Sequence, residues 1–302
     1  MERRKFLQQS AVLGAAVSLS PSVLAYPKRP ESLRKITILH TNDTHSNIET
    51  FPDNHASFPS RGGVARRHTL IQQIRREEKH VLLFDAGDIF QGTPYFNKFN
   101  GTLEMKLMSM MGYDCATMGN HDFDIGLEGF LAAKEFANFP FVCSNYDFSN
   151  TLLKNKTLPY TTFFKDDIKI GVFGIGVELE GLIMKANYGD TVYQDPIEVA
   201  NKWAKHLRME EACDLVICLS HLGFQYRQNK VSDKVLATST SNIDLIIGGH
   251  THTFLEKPNY SKNTEGKLVL INQVGWAGLA LGRIDFYLGD RKKHKGYELI
   301  PV

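Results

Sequence analysis

The chain has 302 residues, of which 42% are hydrophobic and 23% are charged. A chain of this length and composition can bury a substantial core as one large domain or at most two, and it lacks the low hydrophobicity of a disordered protein. The formal net charge of +2 gives no overall indication of a polyanionic partner, so we do not expect nucleic acid as a ligand.

The first 25 residues have the pattern of an export signal. A charged start, Glu2-Arg3-Arg4-Lys5, precedes an uncharged stretch from Ser10 to Leu24, and the small residue Ala25 follows. The paired arginines resemble a twin-arginine signal, whose pathway exports folded proteins. We therefore predict a signal peptide over residues 1–25 and an exported, periplasmic domain over residues 26–302. The apolar stretch is too short and too rich in Ala and Ser to favour a stable membrane span.

Apolar runs bounded by polar residues predict the secondary structure in chain order. We predict strands at 35–41, 80–84, 115–118, 139–144, 215–219, 243–247, 268–272 and 280–288, and a hairpin over 161–174. We predict helices at 64–79, 103–111 and 127–137, and one that begins at Pro196 and runs to about residue 211. Residues 290–295 read as a charged tail. Polar groups just past buried strands are where open α/β sheets place ligands.

The four cysteines lie in or beside the apolar runs and lack the Cys-x-x-Cys spacing of a zinc ribbon. We interpret Cys115, Cys143, Cys213 and Cys218 as buried thiols. In an oxidising compartment one disulfide is the alternative, and the sequence does not assign its partners.

Five of the predicted strands end in residues that can bind metal. Asp43 and His45 are two residues apart, so they project to the same side of an extended or turning chain, and His250 and His252 have the same spacing after two glycines. A lone histidine or a Gly-Asn-His-Asp turn would more often be an ordinary surface or turn element. The recurrence at five strand ends favours a metal centre.

Together the strand ends offer seven ligands: Asp43, His45, Asp88, Asn120, His221, His250 and His252. If the Asp88 carboxylate is shared, each of two divalent ions has four protein groups. The mixture of nitrogen and oxygen suits zinc, manganese, iron or cobalt without choosing among them, and four imidazoles disfavour the all-oxygen sites of magnesium and calcium.

Two close cations would activate a water and stabilise the charge on a phosphoryl group, which is the chemistry of phosphoester hydrolysis. His121 adjoins the ligand Asn120 without needing to be a ligand. As a protonated imidazole it could stabilise a phosphate oxygen or protonate the leaving group. Asp124, three residues on, would orient His121 and raise its pKa.

The stretches Leu39 to His45 and Tyr113 to Asp124 resemble two signature stretches of the calcineurin-like metallophosphatases, and within them the bacterial periplasmic 5′-nucleotidase and UDP-sugar hydrolase group. Gly62 to Arg66 is similar to the start of that group's next helix. The resemblance implies a two-sheet α-β-β-α sandwich, the ligand set above, and a His121 and Asp124 dyad. It also implies that Gln91 lies near the site. Asp122 stands where the group usually has Glu, with a small expected effect because its side chain is not a ligand.

The resemblance implies a 5′-nucleotidase-like phosphomonoesterase that acts on nucleoside monophosphates or other small phosphate esters. The group's nucleotidases continue into a C-terminal domain that grips the base and ribose, and the sequence here ends at Val302 without a counterpart. The alternatives are a 2′,3′-cyclic nucleotide phosphodiesterase, a UDP-sugar hydrolase, a thiosulfohydrolase-like enzyme, or a catalytic subunit that needs a separate specificity domain protein.

Overall fold

Two β-sheets packed face to face, with helices on both outer faces, form the described part of the protein. A computed structural model describes residues 34–289 and 293–302. The strands are β1 (Arg34–Thr41), β2 (Val81–Asp85), β3 (Cys115–Ala116), β4 (Tyr146–Asp147), β5 (Tyr160–Lys165), β6 (Ile168–Ile175), β7 (Val192–Tyr193), β8 (Leu215–Ser220), β9 (Leu245–Gly248), β10 (Asn259–Lys262), β11 (Leu268–Asn272), β12 (Ala280–Leu288) and β13 (Lys293–Pro301).

Helices connect many, but not all, of these strands along the chain. They are α1 (Val64–Glu77), α2 (Pro94–Phe99), α3 (Thr102–Met111), α4 (Gly126–Lys134), α5 (Lys185–Tyr188), α6 (Pro196–Met209) and α7 (Asp233–Ser239), with a 3₁₀ turn at His121–Phe123. Pro196 occupies the first turn of α6, as predicted, and the carboxylate of Asp195 caps that turn by accepting from the N–H groups of Ile197 and Glu198.

Both sheets combine parallel and antiparallel strands: antiparallel strands lie on one side of the parallel group in the first sheet and at both edges of the second. The first sheet has the order β13-β12-β1-β2-β3, with β1, β2 and β3 parallel. The second has the order β10-β11-β9-β8-β6-β5, with β6, β8, β9 and β11 parallel. A small two-stranded sheet pairs β4 with β7. The parallel strands bring several carboxyl ends together.

Alternation of side chains along the strands builds the layers. In β2, Leu82 and Phe84 pack between the sheets, whereas Leu83 packs against the outer helices. In β8, Ile217 lies between the sheets and Cys218 faces the helices of the second sheet. Both faces of each central strand are therefore buried, as expected for parallel sheets.

The helical layers cover these outward faces. Helices α1, α3 and α4 contribute to the core on the first sheet, and α6 and α7 contribute to the core on the second. The predicted α-β-β-α sandwich is confirmed. Residues 34–302 cluster as one compact unit. The predicted boundary after residue 25 lies outside the described residues and stays a prediction.

Several predicted elements differ in detail from the structure. Residues 139–144 do not form a regular strand; Phe141 and Val142 each make one isolated bridge, to Ala116 and to Leu158. The interpretation of residues 290–295 as a charged tail is wrong from residue 293 on, where β13 begins and pairs with β12. That pairing satisfies the backbone groups along one side of β12, which a charge count does not reveal.

The four cysteines are free and buried, which confirms their interpretation as buried thiols. Within the residues that the structure describes, no helix combines the length and the hydrophobicity needed to cross a bilayer.

Candidate metal centre and acid–base dyad

The loops after β1 and β2 continue the pairing of these two strands beyond their ends. The N–H of Asp43 donates to the carbonyl of Gly87 over 2.9 Å, and the N–H of His45 donates to the carbonyl of Asp88 over 3.1 Å. This extended ladder sets the side chains of Asp43 and His45 beside that of Asp88.

The second sheet reaches the same place from the opposite side. His221, which follows β8, donates its Nδ1–H to the carbonyl of Ala86 over 2.7 Å. The N–H of His250, which follows β9, lies 3.0 Å from both carboxylate oxygens of Asp43. The carboxyl ends of strands from both sheets thus meet at one site.

The first ligand group consists of Asp43, His45 and His252. The Nε2 atom of His252 lies 3.3 Å from Oδ1 of Asp43 and 3.0 Å from Nε2 of His45. Because the Nδ1–H of His45 donates to the carbonyl of Phe90, a neutral His45 ring directs the Nε2 lone pair toward His252. Two imidazole nitrogens and a carboxylate at this spacing are suited to one cation.

The second group consists of Asp88, His221 and His250. The Nε2 atom of His221 is 3.0 Å from Oδ2 of Asp88. The same Asp88 oxygen is 3.8 Å from Nε2 of His45, which belongs to the first group. One carboxylate therefore stands between the two groups, in the arrangement that a bridging ligand requires.

One buried side-chain oxygen among the candidate ligands, Oδ1 of Asn120, has no hydrogen-bond partner among the described residues. An unpaired buried polar atom costs free energy, so it calls for an explanation. A divalent cation would satisfy this oxygen, and the residues present fit such an ion.

The charges of the site also fit a cation. Burial alone would raise the pKa of Asp88, but the neighbouring imidazoles, His221 foremost, hold it below its usual range. Burial alone would lower the pKa of His221, but the Asp88 carboxylate raises it to about 10. Burial lowers the pKa of His250 to about 4 and also lowers that of His45. Without a metal, the His221 imidazolium therefore pairs with the Asp88 carboxylate. A metal ion can supply that charge instead.

Five of the seven candidate ligands have left-handed backbone conformations. Their φ values lie between 48° and 73°, and the residues are Asp43, His45, Asp88, His250 and His252. Residues with a Cβ rarely adopt this region, at a cost of roughly 1–3 kcal/mol each, and such strain concentrates at functional sites. The surrounding hydrogen bonds hold these conformations.

His121 and Asp124 lie together beside this site, in and just after the 3₁₀ turn. The Nδ1 atom of His121 is 2.8 Å from Oδ2 of Asp124, and the centroids of the His121 and His45 rings are 5.4 Å apart. The hydrogen bond to Asp124 raises the pKa of His121, although partial burial opposes this. The His121 side chain is 39% exposed, so a substrate can reach it.

Asp122 has a larger structural role than the sequence suggested. Its buried carboxylate accepts from four backbone N–H groups, those of Asp88, Ile89, Phe90 and Gly119. These bonds join the loop after β2 to the loop after β3. Asp122 is in neither ligand group, but it fixes the backbone that carries Asp88. Gln91 follows in the same loop and is exposed.

Gln273 and Asn42 brace the loops on the other side. The side-chain carbonyl of Gln273 accepts from the N–H of Thr253, and its amide donates to the carbonyl of Gly249, so it spans the turn that carries both histidines. Asn42 donates to Oδ2 of Asp43 and to the carbonyl of Gly275, both over 2.6 Å.

The sequence patterns predict no function for Asp122, Gln273 or Asn42. For Gln273 a signal was present, because it follows the apolar strand β11 as the ligands follow theirs. For Asp122 no signal separates it from its neighbours, since its partners are main-chain atoms.

A two-sheet α/β sandwich with paired His and Asp clusters at the strand ends defines a metallophosphoesterase. In agreement, the model of the calcineurin-like phosphoesterase family matches residues 36–254, which include every candidate ligand. The chain therefore belongs to the calcineurin-like phosphoesterase family, whose members are hydrolases that act on phosphate esters.

Individual relatives show which members of the family the chain is similar to. The trifunctional nucleotide phosphoesterase YfkN of Bacillus subtilis is 34% identical over 84% of this chain and 18% of its own length. The 5′-nucleotidase of Vibrio cholerae is 31% identical over 97% of this chain and 56% of its own length. The crystal structure of a 5′-nucleotidase precursor from Thermus thermophilus superposes with a TM-score of 0.80 at 30% identity, covering 89% of this chain and 55% of that one. The chain thus spans about half or less of the length of these relatives.

Proposed function

We propose that the protein is a dinuclear metal-dependent phosphomonoesterase of the 5′-nucleotidase kind. The observation that carries the proposal is the position of the Asp88 carboxylate between two groups of ligands, with the His121 and Asp124 dyad beside them. The names of the relatives support nucleotides as the substrate class.

The ligands divide between two divalent ions. Asp43, His45 and His252 would hold one ion, and His221, His250 and Asn120 would hold the other, with Asp88 shared between them. When bound, the two ions would lower the pKa of a water toward neutrality and offset the charge of the phosphoryl group. The nitrogen and oxygen donors suit zinc, manganese, iron or cobalt.

The dyad supplies the proton chemistry. Asp124 accepts from Nδ1 of His121, which fixes the ring and favours its protonated form. The other ring nitrogen, Nε2, is then free to donate a proton to the leaving oxygen or a hydrogen bond to a phosphate oxygen. The backbone N–H of His121 donates to Oδ1 of Asp88 over 2.7 Å, and this bond fixes the position of the dyad relative to the shared ligand.

The experiment incubates purified residues 26–302 with each substrate and separates the products by chromatography. Hydrolysis of 5′-AMP or an aryl phosphate gives inorganic phosphate, whereas a cyclic nucleotide gives a nucleoside monophosphate and a UDP-sugar gives UMP and a sugar phosphate. The substrates are 5′-AMP, a 2′,3′-cyclic nucleotide, a UDP-sugar and an aryl phosphate, each with manganese and with zinc. We expect 5′-AMP to be the best substrate. Preference for the cyclic ester or the UDP-sugar would be consistent with the proposed metal chemistry but would change the proposed substrate. Slow turnover of all four alike would favour a catalytic subunit that needs a specificity partner. No turnover with any of them would overturn the proposal.

We further propose export, on the sequence pattern of residues 1–25. In a host with a twin-arginine pathway, the full chain should appear in the periplasm, cleaved near Ala25. Replacing Arg3 and Arg4 by Lys should retain it in the cytoplasm. Equal periplasmic yield from both forms would contradict this route.

A further inference from the structure

Four aromatic side chains from three separate segments border the metal centre on the side of His252. We name Phe51, Phe58, Phe254 and Trp276 the aromatic rim. The rings of Phe51 and Trp276 are 6.0 Å apart, those of Phe51 and Phe58 are also 6.0 Å apart, and those of Phe58 and Phe254 are 6.3 Å apart. The proposed chemistry uses none of these residues.

The aromatic rim contacts the candidate ligand residues directly. The Trp276 ring is stacked on the His252 imidazole, with 5.9 Å between centroids and 10° between planes. The next residue, Ala277, donates its N–H to the carbonyl of Asp43 over 2.7 Å. Only the His252 imidazole therefore lies between the Trp276 ring and the candidate metal site, and the position of Trp276 is fixed relative to that site.

The rings are held in place before any ligand binds. The Phe254 ring lies over Gly275, where an added Cβ would come within 2.2 Å of it. Nδ1 of His55 accepts from the N–H of Phe58 over 2.9 Å, and the His55 ring contacts that of Phe51. A surface of fixed rings loses little conformational entropy when a ligand stacks on it.

We infer that the aromatic rim is a stacking surface for the base of a nucleotide whose phosphate lies at the candidate metal centre. The inference rests on the proposed phosphomonoesterase function and adds the element that selects nucleotides. Aromatic faces favour flat π-systems and tolerate every base, because each base has a π-face.

The exposed area favours a small ligand over a protein. Phe254 is 39% exposed, whereas the other three rings are only partly exposed. A stable protein interface buries about 800 Å² on each partner. A few partly exposed rings beside a catalytic site match one base more closely than such an interface.

The kinetic test compares 5′-AMP with ribose 5-phosphate, which differ in the base and share the reacting group. We expect the wild type to prefer 5′-AMP in kcat/KM by roughly 10- to 100-fold, the size of one base-stacking contact. Phe254→Ala and Phe58→Ala should remove most of that preference through a higher KM for 5′-AMP and leave ribose 5-phosphate turnover within about twofold. Trp276→Phe, which keeps a ring on the ligand His252, should reduce the preference part of the way. Phe136→Ala, at a remote ring that is 41% exposed, is the matched control and should change neither substrate.

The binding test needs no metal and no turnover. The protein has two tryptophans, so Trp203→Phe leaves Trp276 as the sole reporter. We expect adenosine to quench its fluorescence in the presence of EDTA, ribose to leave it unchanged, and Phe254→Ala to weaken the adenosine effect at least several-fold.

The two tests separate the inference from the function beneath it. If both esters are hydrolysed at equal rates and adenosine does not quench Trp276, the rim does not bind bases, although the phosphoesterase proposal stands. If neither ester is hydrolysed but adenosine quenches, base binding stands and the proposed reaction falls. A loss of ribose 5-phosphate turnover in Phe254→Ala equal to that of 5′-AMP would also overturn the inference, since the ring would then support the centre itself.

Discussion

The Nδ1 atom of His121 lies 2.8 Å from Oδ2 of Asp124, and the backbone N–H of the same His121 donates to Oδ1 of Asp88. One residue therefore links the proposed acid–base dyad to the carboxylate between the two ligand groups. A displacement of this turn would disturb both the proposed metal ligand Asp88 and the proposed acid His121.

Removing the imidazole tests the dyad. His121→Ala should lower kcat by about 10²- to 10⁴-fold, the range for general acid–base groups, and leave the bound metal unchanged. If His121 protonates the leaving group, an aryl phosphate with a very acidic phenol should lose much less rate than 5′-AMP. Equal losses on both esters would instead assign His121 to a phosphate oxygen. Retention of full rate on both would exclude any catalytic role.

Asp88→Asn tests the shared ligand. An amide bridges two cations poorly because it carries no charge, so we expect metal content to fall from two ions to one or fewer per chain after gel filtration. Asp147→Asn, at a partly exposed carboxylate outside both ligand groups, is the control and should retain both ions. Two tightly held ions in Asp88→Asn would refute the sharing of this carboxylate.

Asp122→Asn tests the brace beneath Asp88. The amide NH₂ cannot accept, and each Asp122 oxygen accepts from two backbone N–H groups, so two of the four lose their acceptor in a buried setting. We expect the free energy of unfolding to fall by roughly 2–3 kcal/mol, because a buried donor without an acceptor costs about 1–3 kcal/mol. Urea unfolding measures it, with the exposed Asp190→Asn as control. A change below 0.5 kcal/mol, about the size of an ordinary surface substitution, would mean that the loop does not depend on this carboxylate.

Gln273→Ala tests the brace of the His250 to His252 turn. Loss of its bonds to Gly249 and Thr253 frees that turn, so metal affinity should fall by roughly 10- to 100-fold, the effect found for residues that orient ligands. Competition with a chromogenic chelator measures the affinity, and the exposed Gln228→Ala is the control. Unchanged affinity would show that the turn keeps its shape without Gln273.

A buried histidine makes stability depend on pH. Burial lowers the pKa of His40 to about 3, and Asn272 donates to its Nε2 over 2.8 Å. The folded pKa lies below the unfolded value of about 6.5, so the unfolded chain binds a proton first as the pH is lowered. The free energy of unfolding therefore decreases as the pH falls below about 6.5.

Lowering the pH from 7.5 to 5.5 should therefore reduce the free energy of unfolding by about 1.4 kcal/mol through the protonation of His40 in the unfolded chain. In EDTA, the wild type should lose that much more over this interval than His40→Gln, whose other titrating groups are the same. Parallel curves for the two proteins would show that His40 does not titrate differently in the folded state.

Sequence patterns predicted the long strands and the residues after them, because each buried strand is an apolar run with a visible end. Short elements carry no such period. The two-residue strands β4 and β7 exist only because Tyr146 and Tyr193 pair across the fold. Strand β13 was hidden because its first residues are charged, whereas its place is decided by the edge of β12.

The candidate ligands were predictable one by one, but their grouping was not. Which histidine faces Asp43 and which faces Asp88 depends on the crossing of two sheets, and the side chains point as they do because of left-handed backbone at positions such as His250 and His252. The aromatic rim could not be predicted from the sequence either, because Phe51, Phe254 and Trp276 are far apart in the chain. Their rings meet only through the loops that surround the site.

The measurement that tests the account most directly is phosphate release from 5′-AMP as metal is added stepwise to the metal-free protein. With two ions around a shared Asp88, we predict little activity up to one equivalent and a steep rise that saturates at two, with Asp88→Asn inactive throughout. Full activity at one equivalent, or none at any ratio with any of the four metals, would contradict the dinuclear centre.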